Sequence, residues 1–397
     1  IVAVSSVLKG YFQGRQNMKP PAYSLIIEQV TRIIAIALLV QLLLPYGVEY
    51  AAAGAMASAV LGEGASLLYL AATFKYGRRP QLLSLGRGII RQLKRGKTII
   101  EELLRIGLPA TGSGLIGSLS WTLEPILVAQ SLALAGIASA QATKAYGLLA
   151  GYAIPLLMLP MFITYSLSVS LVPAISEAQA TRNRSMIKKR LHQTMRLSLI
   201  CGAPATVIML VFAEPLVTLI YGTPQAAPLL KTMAPFFLFL YFQSPLQAAL
   251  QGLDLAKTAM LNTLYGSLVK MGAIVLLASR PELGIFGAAL AININICLVT
   301  LLHFFSLAKA VNTLFVQVKD FLKAGVAMWL MAVGGKEVFL WIGELFPHAP
   351  SVPLLSALAA SLFIYGTSLF FLKLVERDDV ERIPFIGKKL TFLFPKR

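Results

Sequence analysis

Runs of about 20 apolar residues recur along almost the whole chain, and nothing else in the sequence constrains its fold as much. At 1.5 Å per residue each run is long enough to cross the hydrocarbon of a bilayer as a helix. We read eleven apolar segments. The first is short and ends near Phe12; the others lie near 24–44, 51–74, 106–130, 144–172, 194–213, 229–250, 258–279, 284–306, 324–345 and 352–374. Pro and Gly mark many of their ends, as helix breakers do. Only 13% of the residues are charged, about half the share of a soluble domain. The chain is therefore expected to be an all-α polytopic membrane protein.

A net charge of +18 raises the question of nucleic acid, but the placement of the cations answers it. They bunch in alternate connectors: Lys9, Arg15 and Lys19, then the long stretch 74–105, then 182–196, Lys257, 307–323 and the tail. The intervening connectors hold single cations, Lys144, Lys231, Arg280 and Lys336. Such alternation sets orientation and contact with anionic lipid, so the rich connectors and the C-terminus are expected in the cytoplasm of a bacterial cell membrane, with no nucleic-acid partner. The stretch 74–105 is amphipathic as well as basic. It reads as a cytoplasmic linker anchored by charge, or else as an interfacial helix that senses anionic lipid.

Sliding the chain by 238 residues brings its opening back. "LKGYFQGRQNMK" (8–19) lies over "LQAALQGLDLAK" (246–257), matching Leu, Gln-Gly and Lys in register, and "RIIAIALL" (32–39) lies over "KMGAIVLL" (270–277). Six helices separate each position from its copy, and both copies of the short connector fall on the cation-rich side. The expectation is two parallel six-helix repeats, a transporter architecture that alternates access around a cavity between lobes. Three helices precede the second copy and none the first, so about three helices are expected to be missing before Ile1, which is not a methionine. The expected organisation is 1–75 as the remnant of the first lobe, 76–105 as linker, 106–309 as the second lobe, 318–375 as an appended helix pair and 376–397 as a basic tail.

Ionisable groups inside apolar segments are costly and point to function by default. Glu28, Arg32, Glu63, Glu124 and Lys270 are such groups. Arg32 and Lys270 occupy equivalent places in the two repeats. They read either as cations that receive an anionic head group or as side chains that snorkel to the interface. Glu28 stands four residues before Arg32 and can pair with it on one face. Glu124 has no basic residue in reach on its own helix and reads either as a candidate coupling site for H⁺ or Na⁺, with Glu28 as a second, or as a satisfied polar contact. Glu63 sits among small residues and is expected to be structural. Cys201 and Cys297 lie in apolar runs, and His303 and His348 have no ligand spacing, so no disulfide and no metal site is expected. No catalytic motif or nucleotide-binding loop occurs, and neither enzymatic activity nor a cofactor is expected.

Three stretches carry a family resemblance: "LKGYFQGRQNMKPPAYSLIIEQVTRI" (8–33), "YGLLAGYAIPLLMLPMFITYSLSVSLVPAISEA" (146–178) and "LVFAEPLVTLIYG" (210–222). They resemble the stage V sporulation protein B branch of the polysaccharide transporters, within the multidrug/oligosaccharidyl-lipid/polysaccharide exporter superfamily. The resemblance implies two six-helix lobes with a final helix pair, this chain beginning in the fourth helix. It also implies flipping of undecaprenyl-pyrophosphate-linked precursors, lipid II above all, from the inner to the outer leaflet. Related lipid II flippases line their cavity with basic residues, several on the first two helices and one arginine on the eighth. No arginine occurs here between residues 146 and 178, so Arg32 and Lys270, with Arg15 nearby, are the expected head-group cations on physical grounds. An ion-coupled exporter of cationic drugs on the same fold, and a non-transporting scaffold for cell-wall or spore assembly, are the alternatives.

Overall fold

The computed structural model describes residues 1–15, 17–76 and 89–375; linker residues 77–88 and the expected basic tail lie outside them. Among the described residues every regular element is helical and there is no strand. Among the described residues, eight helices are long and apolar enough to cross a membrane. The chain is a multi-pass membrane protein. It divides into two compact units, Ile1–Ile99 and Ile100–Arg397.

The first unit holds α1 (Val2–Gly14), α2 (Lys19–Leu43) and α3 (Val48–Tyr76). Pro20 and Pro21 open α2, where a missing N–H is harmless. A single 3₁₀ turn (Leu44–Tyr46) and Gly47, at φ +126°, reverse the chain into α3, a backbone conformation open to glycine alone. The outer face of α2 is largely apolar, with Leu25, Ile26, Val30, Ile33 and Leu42 exposed beside Gln29 and Gln41. The inner faces instead bury Ser5, Ser24, Glu28, Ser58 and Ser66. Such a bundle is more polar inside than out, the arrangement that lipid rather than water selects, and small residues bring its helices close.

The second unit begins within α4 (Ile89–Leu134). Its 46 residues would extend about 69 Å, more than a bilayer crossing needs. The helix thus runs without a break from the basic linker into the segment expected to start near 106. The 144–172 segment is broken: α5 (Ser139–Gly147), a π-helical turn (Leu148–Ala153), α6 (Ile154–Met158) and α7 (Met161–Ala180). Pro155 and Pro160 account for the interruptions, since each removes an N–H from the ladder. The hydroxyl of Tyr241 donates to the carbonyl of Leu157 at the α6–α7 break, 2.8 Å away. A neighbouring helix thereby satisfies a group that hydrocarbon could not.

Then follow α8 (Arg184–Val211), α9 (Ala213–Tyr221), α10 (Ala227–Gly252), α11 (Ala256–Ala278), α12 (Ile285–Val311), α13 (Val318–Leu345) and α14 (Ser351–Phe371). The short α9 has no counterpart among the eleven expected segments. Among the described residues two large apolar cores form beside a small third one around Phe212, Leu354 and Ala357, and α10 enters both large ones. Leu230, Met233, Phe237 and Tyr241 join the core with α4, α11 and α12; Phe242, Leu246, Ala249 and Leu250 join the core with α7, α8 and α13. At an offset of 238 the helix bounds coincide within a few residues: α1 ends at Gly14 and α10 at Gly252, α2 starts at Lys19 and α11 at Ala256, α3 at Val48 and α12 at Ile285.

Candidate functional site

The intramembrane charges singled out in the sequence form one network in each unit. In the second unit the ammonium of Lys270, on α11, donates to Oε2 of Glu124, on α4, at 2.7 Å. The two side chains are 4% and 1% exposed. The hydroxyl of Tyr146, on α5, lies 3.5 Å from the other carboxylate oxygen, and Lys270 Nζ is 5.6 Å from the centre of the Trp121 ring. The basic partner that Glu124 lacks on its own helix therefore comes from a helix 146 residues on.

Local structure places each member. Pro125 directly follows Glu124 inside α4 and frees the carbonyl of Trp121 one turn earlier. Gly266, one turn before Lys270, gives α11 its close approach to α12, because a Cβ there would strike Val299 and lie 2.7 Å from Asn295 Oδ1. The π-helical turn begins two residues after Tyr146; such turns mark functional positions in helices. The pair lines a cavity of about 250 Å³ with Ser120, Gln243, Gln247, Ser267 and Asn295. Ser120 Oγ and Asn295 Oδ1 are buried there without a hydrogen-bond partner.

In the first unit Arg32 Nη2 donates to Glu28 Oε1 at 2.7 Å, as the i,i+4 spacing predicts. Lys9, on α1, approaches Glu28 Oε2 at 3.5 Å and Glu63 Oε2 at 3.8 Å. One expectation needs correction: Lys9 is a helix residue inside the network and not a connector cation. Glu63, expected to be structural, packs into the same network through Lys9. Gly62 lets α3 rest on this network: a Cβ would sit 2.8 Å from the Glu28 carbonyl and 3.3 Å from Arg32 Cβ. Arg15 lies apart from it. Its guanidinium donates to the Tyr11 hydroxyl at 2.8 Å, and it lines a separate cavity with Asn17 and Phe74.

Both networks are balanced in charge. Arg32 and Lys9 face Glu28 and Glu63; Lys270 faces Glu124. A buried cation already held by a carboxylate can serve an incoming anion only by exchange, since a second uncompensated charge would be prohibitive. Among the described residues no group of three His, Cys, Asp or Glu could share a metal ion. Cys201 and Cys297 are free thiols, and His303 is buried with its Nδ1 3.1 Å from Asn262 Nδ2.

This architecture is shared with known transporters. The fold matches a MATE in the bent conformation, with a TM-score of 0.59 at 15% identity over 78% of this chain and 65% of that one. It also matches the lipid II flippase MurJ in an inward closed conformation, with a TM-score of 0.55 at 15% identity over 94% of this chain and 72% of that one. In sequence, the polysaccharide biosynthesis protein family matches residues 1–179 and the MatE family residues 127–276. Lipid II flippase MurJ of Bacillus subtilis (strain 168) is 26% identical over 283 residues, 68% of this chain and 51% of that protein. Stage V sporulation protein B of the same organism is 48% identical over 388 residues, 98% of this chain and 74% of that protein. The chain belongs to the family of stage V sporulation protein B, in the multidrug/oligosaccharidyl-lipid/polysaccharide superfamily.

Proposed function

We propose that the chain is a flippase for a lipid-linked saccharide diphosphate, of the lipid II class, moved from the inner to the outer leaflet by alternating access. The observation that carries this reading is the buried Glu124–Lys270 pair on the wall of a polar cavity inside a membrane unit. A diphosphate brings about two negative charges that hydrocarbon will not accept unpaired. Lys270 is the cation in the second unit placed to receive one of them; Arg32 and, nearer the helix end, Arg15 are its counterparts in the first. Relatives in the family and the lipid II flippase likeness support the same substrate class.

In the exchange, a phosphate oxygen replaces the Glu124 carboxylate at Lys270. Glu124 keeps the Tyr146 hydroxyl and neutralises its charge by taking a proton or a sodium ion, which couples lipid movement to an ion. Glu28 plays the same part for Arg32. The cation-rich connectors lie in the cytoplasm on this reading and gather the anionic lipid from the inner leaflet. Export of cationic drugs would need the reverse exchange, a drug cation displacing the lysine or arginine partner of Glu28, Glu63 or Glu124.

The test is transport in liposomes, following fluorescent lipid II and a cationic dye in parallel, with and without a proton or sodium gradient. Lipid movement without dye movement is expected. Dye movement alone would overturn the proposal in favour of drug export, and movement of neither would favour a scaffold.

A further inference from the structure

The second half of α10 presents a polar face that the charge-exchange reading does not use. From Tyr241 to Leu253 every residue is buried except Gln243, Ser244, Gln247 and Gln251. The spacing i, i+1, i+4, i+8 puts these four side chains on one stripe about 12 Å long. No hydrogen bond is made by any of the three glutamine side chains or by Ser244 to another described residue. The four polar side chains are partly exposed and open onto cavities, so their hydrogen-bonding demand is left to whatever occupies those cavities.

Two cavities border the stripe and share Ser244 and Gln247 as walls. The first, about 250 Å³, is the one holding Lys270 and Glu124; the second, about 290 Å³, continues toward Gln251 with Tyr165 and Ser168 of α7. The unpartnered buried Asn295 Oδ1 and Ser120 Oγ face the first. One end of the groove is thus charged and the rest is neutral but rich in paired donors and acceptors. At the 238-residue offset the same four places in α1 are Ser5, Ser6, Lys9 and Gln13, so the Gln-Gly repeat seen in the sequence is the end of a polar stripe present in both segments.

We infer that the α10 stripe is the saccharide-recognition track of the transporter. The hydroxyls and acetamido groups of a sugar lie along Gln243, Ser244, Gln247 and Gln251 while the diphosphate sits at Lys270. A carboxamide offers a donor and an acceptor on one group, which matches the paired demands of sugar hydroxyls without adding charge. An apolar ligand would leave these groups unpaired, and a second ionic ligand would find no counter-charge along the stripe. Because the stripe is neutral, it discriminates by hydrogen bonding, the kind of site that rejects a ligand lacking the bonding groups. This inference rests on the lipid-linked saccharide reading and deepens it.

The test compares binding of two probes to the purified protein in nanodiscs: a polyprenyl diphosphate carrying an N-acetylated disaccharide and the same polyprenyl diphosphate without sugar. Wild-type protein is expected to prefer the glycosylated lipid by tenfold or more. Gln243→Leu with Gln247→Leu is expected to lose about tenfold for the glycosylated lipid and nothing for the bare diphosphate, at about threefold for each of two lost hydrogen bonds. Gln247→Asn, which keeps the amide but withdraws it by one methylene, is expected to lose part of that preference and guards against misfolding of the double variant. Equal loss for both probes, or none for either, would overturn the track. Equal wild-type affinity for both probes would overturn it while leaving the flippase reading intact. Binding of neither probe would sink that reading and the track together.

Discussion

Replacing Glu124 by Gln leaves the Lys270 ammonium in a cavity wall with no counter-ion except the face of Trp121 at 5.6 Å. At 2.7 Å and an effective dielectric near 20, the pair attracts by about 6 kcal/mol. Desolvation of two ions 4% and 1% exposed offsets much of it. The net value of the pair is therefore small, but removing one partner strands the other, at about 3–5 kcal/mol. Lys270→Met strands Glu124 in the same way, relieved only by the Tyr146 hydroxyl at 3.5 Å. Removing both charges, Glu124→Gln with Lys270→Met, strands nothing and should lie close to wild type. A double-mutant cycle by equilibrium unfolding in mixed detergent micelles should give a coupling of at least about 2 kcal/mol. Additive single losses, with the double variant as unstable as their sum, would refute the buried pair.

Two further predictions follow from the same geometry. Gly62→Val puts a branched side chain against the Glu28 carbonyl, 2.8 Å from where its Cβ would be; it should separate α3 from α2 and lower thermal stability by about 1–3 kcal/mol, as overpacking does. Wild-type stability would show that α3 has room to move. Tyr146→Phe removes only a 3.5 Å contact, so unfolding should change by less than about 1 kcal/mol, while the rate of lipid transport falls because Glu124 loses its remaining partner during exchange. An unchanged rate would remove Tyr146 from the mechanism.

The helix plan was legible because lipid demands long apolar runs, and helices from α2 to α14 fall where those runs are. The short α9 was not, since nine residues between two longer runs give no membrane signal. The broken path from α5 to α7 could be anticipated from Pro155 and Pro160, but its π-helical turn has no sequence mark. At the site, Arg32 and Glu28 could be paired on paper because a helix turn joins them. Lys270 and Glu124 could not: each stood out as an intramembrane charge, yet their contact depends on how α4 and α11 pack. Lys9 misled for the opposite reason. It lies near the end of the first apolar segment and groups in the sequence with the connector cations Arg15 and Lys19, and only tertiary packing takes it to Glu28 and Glu63. The stripe on α10 was half visible as the Gln-Gly match, and its isolation from partners became evident only once both cores had claimed the other faces of that helix.

The account turns on anion exchange at Lys270, and the neutral pair tests it most directly. Protein carrying Glu124→Gln and Lys270→Met, shown to fold normally, would be reconstituted and assayed for movement of fluorescent lipid II beside wild type. The account predicts a loss of at least about tenfold in the rate, as expected when a charge-assisted contact to the diphosphate is removed. Transport at the wild-type rate would contradict it.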